Sequence, residues 1–233
     1  MKLVMKSKFK TVSCLFIVSI FAINAKAQEA VAIDSSYRNS HYENRLDFFK
    51  AMPNQKNEIV FVGNSLTEGG KWQELINKKH VINRGVSGDV TYGVYARLDE
   101  ILESKPKKIF LLSGTNDMKR GIPNNIIGAN IKRIVARIRK ESPRTKIYIQ
   151  SLLPVNEAML PKTYVLINNK KIEDLNELLI EMCAEMRVNY INLQPALTDE
   201  NGSLKKELSI DGLHLRQAAY ILWANHLKKL KVL

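Results

Sequence analysis

The sequence predicts a flavodoxin-like three-layer α/β/α domain built on a five-stranded parallel sheet. Short runs rich in β-branched and aromatic residues alternate along the chain with longer segments of helical periodicity. This alternation is typical of parallel strands joined by crossover helices. Glycine and polar residues directly follow most of the short runs. Folds of this class carry their chemistry at the carboxyl ends of the strands, so these polar segments are the first candidates for a functional site.

The first 27 residues have the pattern of a cleavable signal peptide. Four lysines precede an apolar run over 12–23, and Ala25-Lys26-Ala27 supplies the small residues that signal peptidase requires. The alternative is a retained membrane anchor, but the apolar run is about a dozen residues long, whereas a spanning helix needs about 20. The sequence therefore predicts an exported protein, cleaved after Ala27, that has no stable membrane insertion and reaches the periplasm or the medium.

The rest of the chain divides into a lead-in arm over 28–56 and a single domain over 57–233. The arm is polar and contains one predicted helix, over 42–51. The five predicted strands of the domain are 58–62, 81–83, 108–112, 147–149 and 190–193. The predicted helices of the domain lie near 72–76, over 94–102, over 123–138, over 172–186 and over 216–229.

Composition and charge exclude several classes of protein. With 45% hydrophobic and 25% charged residues, the 233-residue chain is neither disordered nor fibrous. Loss of the signal peptide removes five lysines and no acidic residue, which lowers the net charge from +13 to +8. The remaining basic pairs lack interleaved aromatic residues and indicate a solvated surface rather than a nucleic-acid site. Of the two cysteines only Cys183 would remain, so we expect no intrachain disulfide and a buried thiol.

The first predicted strand is followed by residues 63–70, Gly-Asn-Ser-Leu-Thr-Glu-Gly-Gly. A serine between a strand and a helix would be exposed at the edge of the sheet, beside helix N-terminal amides that stabilise negative charge. The segment is not a P-loop, because Trp72 follows Lys71 where Ser or Thr is required. It also departs from the G-x-S-x-G nucleophile elbow, because Thr67 takes the second glycine position. By itself, Ser65 fits a helix cap as well as a nucleophile.

Three further loops follow the second, third and fourth predicted strands. In residues 83–89, Asn-Arg-Gly-Val-Ser-Gly-Asp, the glycines would let backbone N–H groups approach a bound oxyanion. In residues 114–117, Gly-Thr-Asn-Asp, an asparagine amide would face the same crevice. Asn156 follows the fourth strand at the same edge of the sheet and is a candidate substrate contact. The aspartates that end the first two loops, Asp89 and Asp117, are expected to brace them.

The last candidate is the segment Asp211-Gly212-Leu213-His214, which follows the fifth predicted strand. The short spacing lets one loop present both the carboxylate and the imidazole. The carboxylate can then accept the Nδ1–H and leave Nε2 free to take a proton from Ser65. A metal site is disfavoured, because the other three histidines show no ligand spacing with His214.

Taken in this order, the loops resemble the sequence blocks of the SGNH (GDSL-type) hydrolase superfamily over roughly residues 57–230. Residues 63–66 resemble the first block, with Asn64 where aspartate is commonest. Residues 83–89 look closest to the branch that includes platelet-activating-factor acetylhydrolase-like and sialate O-acetylesterase-like enzymes. The remaining matches are Gly88 to the second-block glycine, Asn116 to the third-block asparagine, and Asp211 and His214 to the fifth block.

The resemblance implies a role for each matching residue. Ser65 would be the nucleophile and His214 the base, with Asp211 orienting the imidazole. The backbone amides of Ser65 and Gly88, together with the side-chain amide of Asn116, would form the oxyanion hole. This chemistry implies neither a metal nor an organic cofactor.

The sequence thus predicts an exported serine esterase that cleaves short acyl esters, chiefly acetyl esters on carbohydrates, through an acyl-serine. The loops are polar and carry no long apolar insertion, which favours short acyl groups over a lysophospholipid or other long-chain ester. A non-catalytic glycan-binding module is the alternative outside this chemistry, although binding alone does not require the whole Ser/Asp/His set. The expected partner is a small-molecule or glycan ester, and the sequence does not indicate the oligomeric state.

Overall fold

The computed structural model describes residues 34–233, so the predicted signal peptide lies outside the described residues. Within them, five parallel strands form one sheet in the order β2-β1-β3-β4-β5. This is the flavodoxin-like order, and it confirms the predicted fold class. Every predicted strand is present to within two residues. The strands are β1 (Ile59–Gly63), β2 (Val81–Gly85), β3 (Lys108–Leu112), β4 (Lys146–Gln150) and β5 (Asn189–Ile191).

The helices connect the strands and cover the sheet. They are α1 (Ser40–Ala51), α2 (Ser65–Glu68), α3 (Trp72–Ile76), α4 (Thr91–Ala96), α5 (Leu98–Glu103), α6 (Thr115–Lys119), α7 (Asn124–Glu141), α8 (Asn169–Glu185), α9 (Gln194–Leu197) and α10 (Gln217–Lys229). Short 3₁₀ turns lie at Glu157–Met159, Lys162–Tyr164 and Lys206–Leu208. Over residues 34–233, none of these helices is both long and apolar enough to cross a membrane.

A stack of aromatic rings fills one face of the sheet. Phe61, Phe110 and Tyr148 lie side by side on β1, β3 and β4, with successive ring centroids 4.9 and 4.7 Å apart. Trp72 of α3 stacks on Phe61 at 4.2 Å, and Trp223 of α10 meets Trp72 edge-on. Both tryptophans are buried core residues. Their packing fixes the strand that ends at the proposed nucleophile.

The single helix predicted over 94–102 is wrong, because the chain forms two short helices, α4 and α5, that meet at Arg97. Arg97 is completely buried, and its guanidinium donates to the carboxylate of Asp89 at 2.9 Å. It also donates to the backbone carbonyls of Arg84 at 2.8 Å and Gly63 at 3.1 Å. The helix breaks at the residue whose side chain turns inward to reach these acceptors beneath the loops after β1 and β2.

Helix α1 packs on the domain beside the loop that follows β2. It begins at Ser40, two residues before the predicted start, because the side chain of Asn39 caps it. Tyr42 and Phe49 are buried in a small cluster with Val86. The Tyr42 hydroxyl donates to the backbone carbonyl of Gly93 at 3.1 Å. The lead-in arm is therefore attached to the edge of the sheet at which the polar loops gather.

Candidate active site

Ser65 is the first residue of α2 and directly follows the carboxyl end of β1. The cap of α2 is Asn64, whose buried side-chain oxygen accepts the Leu66 N–H at 3.0 Å. The alternative in which Ser65 serves as the cap is therefore wrong, and its hydroxyl is left half-buried at a cleft. An amide oxygen accepts this hydrogen bond as a carboxylate oxygen would, which gives a physical account of asparagine at position 64.

The structure brings Ser65, His214 and Asp211 together, although 149 positions separate the serine from the histidine. The Ser65 Oγ lies 3.2 Å from His214 Nε2, and His214 Nδ1 lies 2.7 Å from Asp211 Oδ2. Burial alone would raise the pKa of Asp211. Hydrogen bonds from the His214 side chain and from the backbone of His214 and Leu213 outweigh burial and hold this pKa below its ordinary 3.8. The carboxylate is thus ionised and can orient the imidazole.

The loop that carries Asp211 and His214 closes on itself. The Ile210 N–H donates to the His214 carbonyl at 2.8 Å. The buried hydroxyl of Ser209 donates to the same carbonyl at 3.1 Å and accepts the Gly212 N–H at 2.8 Å. These local bonds fix the spacing between the carboxylate and the imidazole.

Gly88 and Asn116 line the same cleft as Ser65. Gly88 has φ +80°, a left-handed conformation that favours glycine, and no atom lies within 4 Å of the position of an added Cβ. The Asn116 amide donates one N–H to the Asp89 carbonyl at 2.9 Å. Because a side-chain amide carries two N–H groups, the second remains for a ligand.

Asp89 and Asp117 brace the surrounding loops, as the sequence predicts. Both are buried, and Asp89 pairs with Arg97. The Asp117 carboxylate accepts the N–H of Thr91 at 3.1 Å and its hydroxyl at 2.5 Å. Burial raises the pKa of Asp89 to about 6 against the attraction of Arg97, and it also raises the pKa of Asp117.

The cleft that contains Ser65 has a volume of ≈ 820 Å³, within the range of roughly 300–1,000 Å³ typical of small-molecule sites. Most of its lining side chains are polar, and its aliphatic members are Ile210 and Leu215. The full lining is Ser65, Glu68, Gly69, Ser87, Gly88, Asn116, Lys119, Tyr164, Ile210, Asp211, His214, Leu215, Gln217 and Tyr220.

Asn156, the predicted substrate contact, does not line this cleft. Its side-chain amide donates to the Leu204 carbonyl at 3.1 Å, and its backbone N–H donates to the Gly212 carbonyl at 2.8 Å. Asn156 therefore supports the loop that carries His214 from behind. Asn156 lies outside the cleft because the segment after β4 turns beneath the Asp211–His214 loop.

Several lining residues were missed by the sequence analysis. Glu68 stands three residues after Ser65 in the segment 63–70, so its position was a signal that could have been used. Tyr164 meets the His214 ring edge-on at 6.3 Å, and Lys119 lies 4.3 Å from the Tyr164 ring centroid. Neither Tyr164 nor Lys119 belongs to a recognisable motif, and only the folding of distant segments brings them to the cleft.

Known proteins share the segments that carry these site residues. The model of the GDSL-like lipase/acylhydrolase family matches residues 61–222, well over half of the chain, and the match includes Ser65, Gly88, Asn116, Asp211 and His214. The chain belongs to this family. As a GDSL-like hydrolase of the SGNH superfamily, it is an enzyme that acts on esters.

One relative and two solved structures are similar to this GDSL-like hydrolase. Human platelet-activating factor acetylhydrolase IB subunit alpha1 is 27% identical over 170 residues, which cover 70% of each chain. A Streptococcus pneumonia protein described as a platelet activating factor is 32% identical, with a TM-score of 0.76 over 82% of this chain and 92% of its own. A GDSL-like lipase from Bacteroides thetaiotaomicron shares the fold, with 24% identity and a TM-score of 0.70 over 82% of this chain and 98% of its own.

Proposed function

We propose that this chain is an exported serine esterase that removes short acyl groups, chiefly acetyl, from carbohydrate alcohols. One observation carries the catalytic part of the proposal. The hydroxyl of Ser65, the imidazole of His214 and the carboxylate of Asp211 form one line of hydrogen bonds, and this line ends in an open cleft. A hydroxyl is a weak nucleophile unless a neighbouring base takes its proton, and the line supplies that base.

The reaction begins when Ser65 Oγ bonds to the ester carbonyl carbon and His214 Nε2 takes the hydroxyl proton. Asp211 stabilises the resulting imidazolium through Nδ1. The bond between the carbonyl carbon and the alcohol oxygen then breaks, and the alcohol leaves with the proton from Nε2. Water repeats both steps on the acyl-serine, which releases the carboxylic acid and restores Ser65.

Three N–H groups would stabilise the oxyanion that forms on the carbonyl oxygen. The Ser65 N–H lies in the first turn of α2, where backbone N–H groups have no partner within the helix. The Gly88 N–H and the second N–H of Asn116 complete the set. Fixed donors of this kind act on the charge that develops in the transition state, so they accelerate the chemical step.

The polar lining of the cleft supports a short acyl group and a hydroxyl-rich alcohol. Ile210 and Leu215 offer aliphatic surface sufficient for a methyl group, whereas a long chain would need a continuous apolar wall. The human relative is named an acetylhydrolase, which supports acetyl as the group removed. Carbohydrate as the alcohol rests on the polar character of the cleft.

Hydrolysis rates of nitrophenyl acetate and nitrophenyl octanoate compare a short with a long acyl group directly. We expect the acetate to have the higher kcat/KM, by about tenfold or more, because the octanoyl chain would find no apolar wall to bury against. Release of acetate from acetylated oligosaccharides then tests the alcohol. Preference for octanoate would instead favour the long-chain alternative.

Fluorophosphonate labelling tests the activated serine. We expect the modified peptide to contain Ser65, and we expect labelling to disappear in both Ser65→Ala and His214→Ala. Ser203→Ala, outside the cleft, serves as the matched control and should label as the wild type does. Absence of labelling in a folded wild-type protein would overturn the esterase mechanism and favour a glycan-binding role.

Export rests on the signal-peptide pattern of the first 27 residues. N-terminal sequencing of the protein recovered from the expressing bacterium should find Gln28 as the first residue. Ala27→Phe should block processing, because signal peptidase requires a small residue at that position. A mature protein that retains residues 1–27 would contradict cleavage.

A further inference from the structure

The carboxylate of Glu68 is a point at which three segments of the chain meet. Its Oε2 accepts the Ser87 N–H at 2.5 Å and lies 3.1 Å from His41 Nε2. Its Oε1 lies 3.6 Å from Arg45 Nε. Glu68 thus joins the nucleophile helix α2 to the loop after β2 and to helix α1.

The backbone of Glu68 is itself held in place. The Asn83 side-chain amide donates to the Glu68 carbonyl at 3.0 Å. Gly85 approaches so closely that an added Cβ would lie 2.2 Å from the Glu68 nitrogen. The backbones of β2 and α2 are therefore in direct contact, and only glycine permits this approach. The carboxylate of Glu68 therefore projects from a fixed base.

The segment that Glu68 holds contains the proposed oxyanion donor Gly88. A turn closes this segment, with the Asp89 N–H donating to the Val86 carbonyl at 3.0 Å. Gly88 itself has φ +80°, and no atom lies within 4 Å of the position of an added Cβ. Glycine has no side chain to restrict its backbone. The hydrogen bond from the Ser87 N–H to Glu68 restrains the residue just before Gly88.

Helix α1 supplies the positive charge, that of Arg45, which faces the Glu68 carboxylate. The Arg45 guanidinium lies 4.6 Å from the Phe49 ring centroid and donates to the Gly85 carbonyl at 3.1 Å. Although burial would raise the pKa of Glu68, hydrogen bonds from His41 and Ser87 and the charge of Arg45 hold it below its ordinary value. Residues 40–51 lie before the start of the family match at residue 61. This part of the active-site support is therefore contributed by the lead-in arm.

We propose that Glu68 is a positioning residue that holds Ser87 so that the Gly88 N–H faces the oxyanion, and that Arg45 of α1 keeps Glu68 in place. This inference rests on the proposed esterase function, because the oxyanion belongs to that reaction. Glu68 acts through the loop and takes no part in bond making or breaking.

Kinetics of full-length variants test the role of Glu68. We expect Glu68→Ala to lower kcat by about 10–100-fold with little change in KM, because outright loss of one oxyanion donor costs about 10²–10³-fold. Glu68→Gln keeps an oxygen that can accept the Ser87 N–H, so its kcat should fall less. Arg45→Met should lie between the wild type and Glu68→Ala.

A trifluoromethyl ketone inhibitor, whose adduct with Ser65 carries an oxyanion, separates positioning from general damage. Its affinity should fall in parallel with kcat/KM in the Glu68 variants. Glu43→Gln, which removes the pair of this α1 carboxylate with Arg38, is the matched control and should leave both quantities unchanged. If Glu68→Ala kept kcat and inhibitor affinity within twofold of the wild type, the proposal would be overturned.

Hydrogen exchange tests the same contact without relying on activity. Backbone amides of residues 86–90 should exchange faster in Glu68→Ala than in the wild type or in Glu43→Gln. Unchanged exchange would show that Glu68 does not hold the loop. If the wild type lacked Ser65-dependent hydrolysis, the esterase function would fail, while the exchange result would still decide whether Glu68 restrains this segment.

Discussion

Two loops meet at the cleft, and the chain holds them in different ways. The loop over residues 86–90 is tied by buried charge, since the side chains of Asp89 and Arg97 are both fully buried. The loop over residues 209–214 is tied by local hydrogen bonds, and the side chains of Asp211 and His214 remain 29% and 33% exposed. The buried pair thus restrains the loop that carries the proposed N–H donor Gly88. The more exposed loop is the one whose imidazole must gain and lose a proton.

The difference follows from what each loop must do in the proposed reaction. N–H donors stabilise a developing charge best when they need no reorganisation, which a buried network provides. A base must gain and lose a proton and must meet water, which a half-exposed imidazole allows. Loss of the buried ion pair beneath the first loop should therefore appear largely as lost stability, and damage to the second loop as lost catalysis.

The largest expected effect is on catalysis, in Asp211→Asn. The asparagine would favour the wrong imidazole tautomer, so kcat should fall by roughly 10⁴-fold while the melting temperature changes little. Asp199→Asn is the matched control, because Asp199 also accepts backbone N–H groups, from Asn201 and Ser203, but lies outside the cleft. Steady-state kinetics and thermal melts measure both, and an active Asp211→Asn enzyme would contradict the assignment.

The next effect is on stability, in Arg97→Met. Removing one member of a buried ion pair leaves the other charge unpaired, so the free energy of unfolding should fall by about 3–5 kcal/mol. Lys132→Met removes the exposed pair with Glu185 and should cost at most about 1 kcal/mol. Denaturant unfolding compares the two variants. Equal losses would mean that burial does not distinguish these pairs.

Asn116→Ala should affect catalysis less than Asp211→Asn. Loss of one oxyanion donor typically lowers kcat by about 10²–10³-fold, with little change in KM. Asn124→Ala is the control, because the Asn124 amide also donates to a backbone carbonyl, that of Lys171, outside the cleft. An unchanged kcat in Asn116→Ala would remove Asn116 from the oxyanion hole.

The smallest effect is a difference in pH dependence between the two carboxylates. The pKa of Asp211 is lowered on folding, so its contribution to stability is present above its ordinary pKa of 3.8 and is lost as the pH falls through the lowered value. The pKa of Asp89 is raised to about 6, so its contribution is present below pH 3.8 and is lost as the pH rises through about 6. The free energy of unfolding is measured from pH 3 to 7 in the wild type and in both variants. Asp211→Asn should remove a contribution that increases with pH, and Asp89→Asn should remove one that decreases with pH.

The sequence predicted the strands well because their signal is local. Five short apolar runs give the five observed strands to within two residues, and the parallel arrangement follows from the helices between them. The break at Arg97 was missed, because its cause is an inward side chain that bonds to Asp89 and to carbonyls from other segments. Periodicity along one helix carries no information about such partners.

In the candidate site, too, local patterns were predicted from the sequence and the course of a loop was not. The blocks that contain Ser65 and His214 could be recognised from the sequence, and the structure brings those two side chains within hydrogen-bonding distance. Asn156 was placed at the right edge of the sheet but bonds to Leu204 instead of lining the cleft. Position after a strand determines the edge on which a residue lies, but not the direction in which its loop turns.

By itself, the sequence determined the fold class, the family and the residues of the Ser/His/Asp line, because these depend on short patterns and on their order along the chain. The tertiary structure alone decided that α1 supports the active site through Glu68, that Arg97 is buried beneath the loops, and that Tyr164 meets His214. The physical reason is that these contacts join distant segments, and their geometry exists only once the sheet and its covering helices have packed.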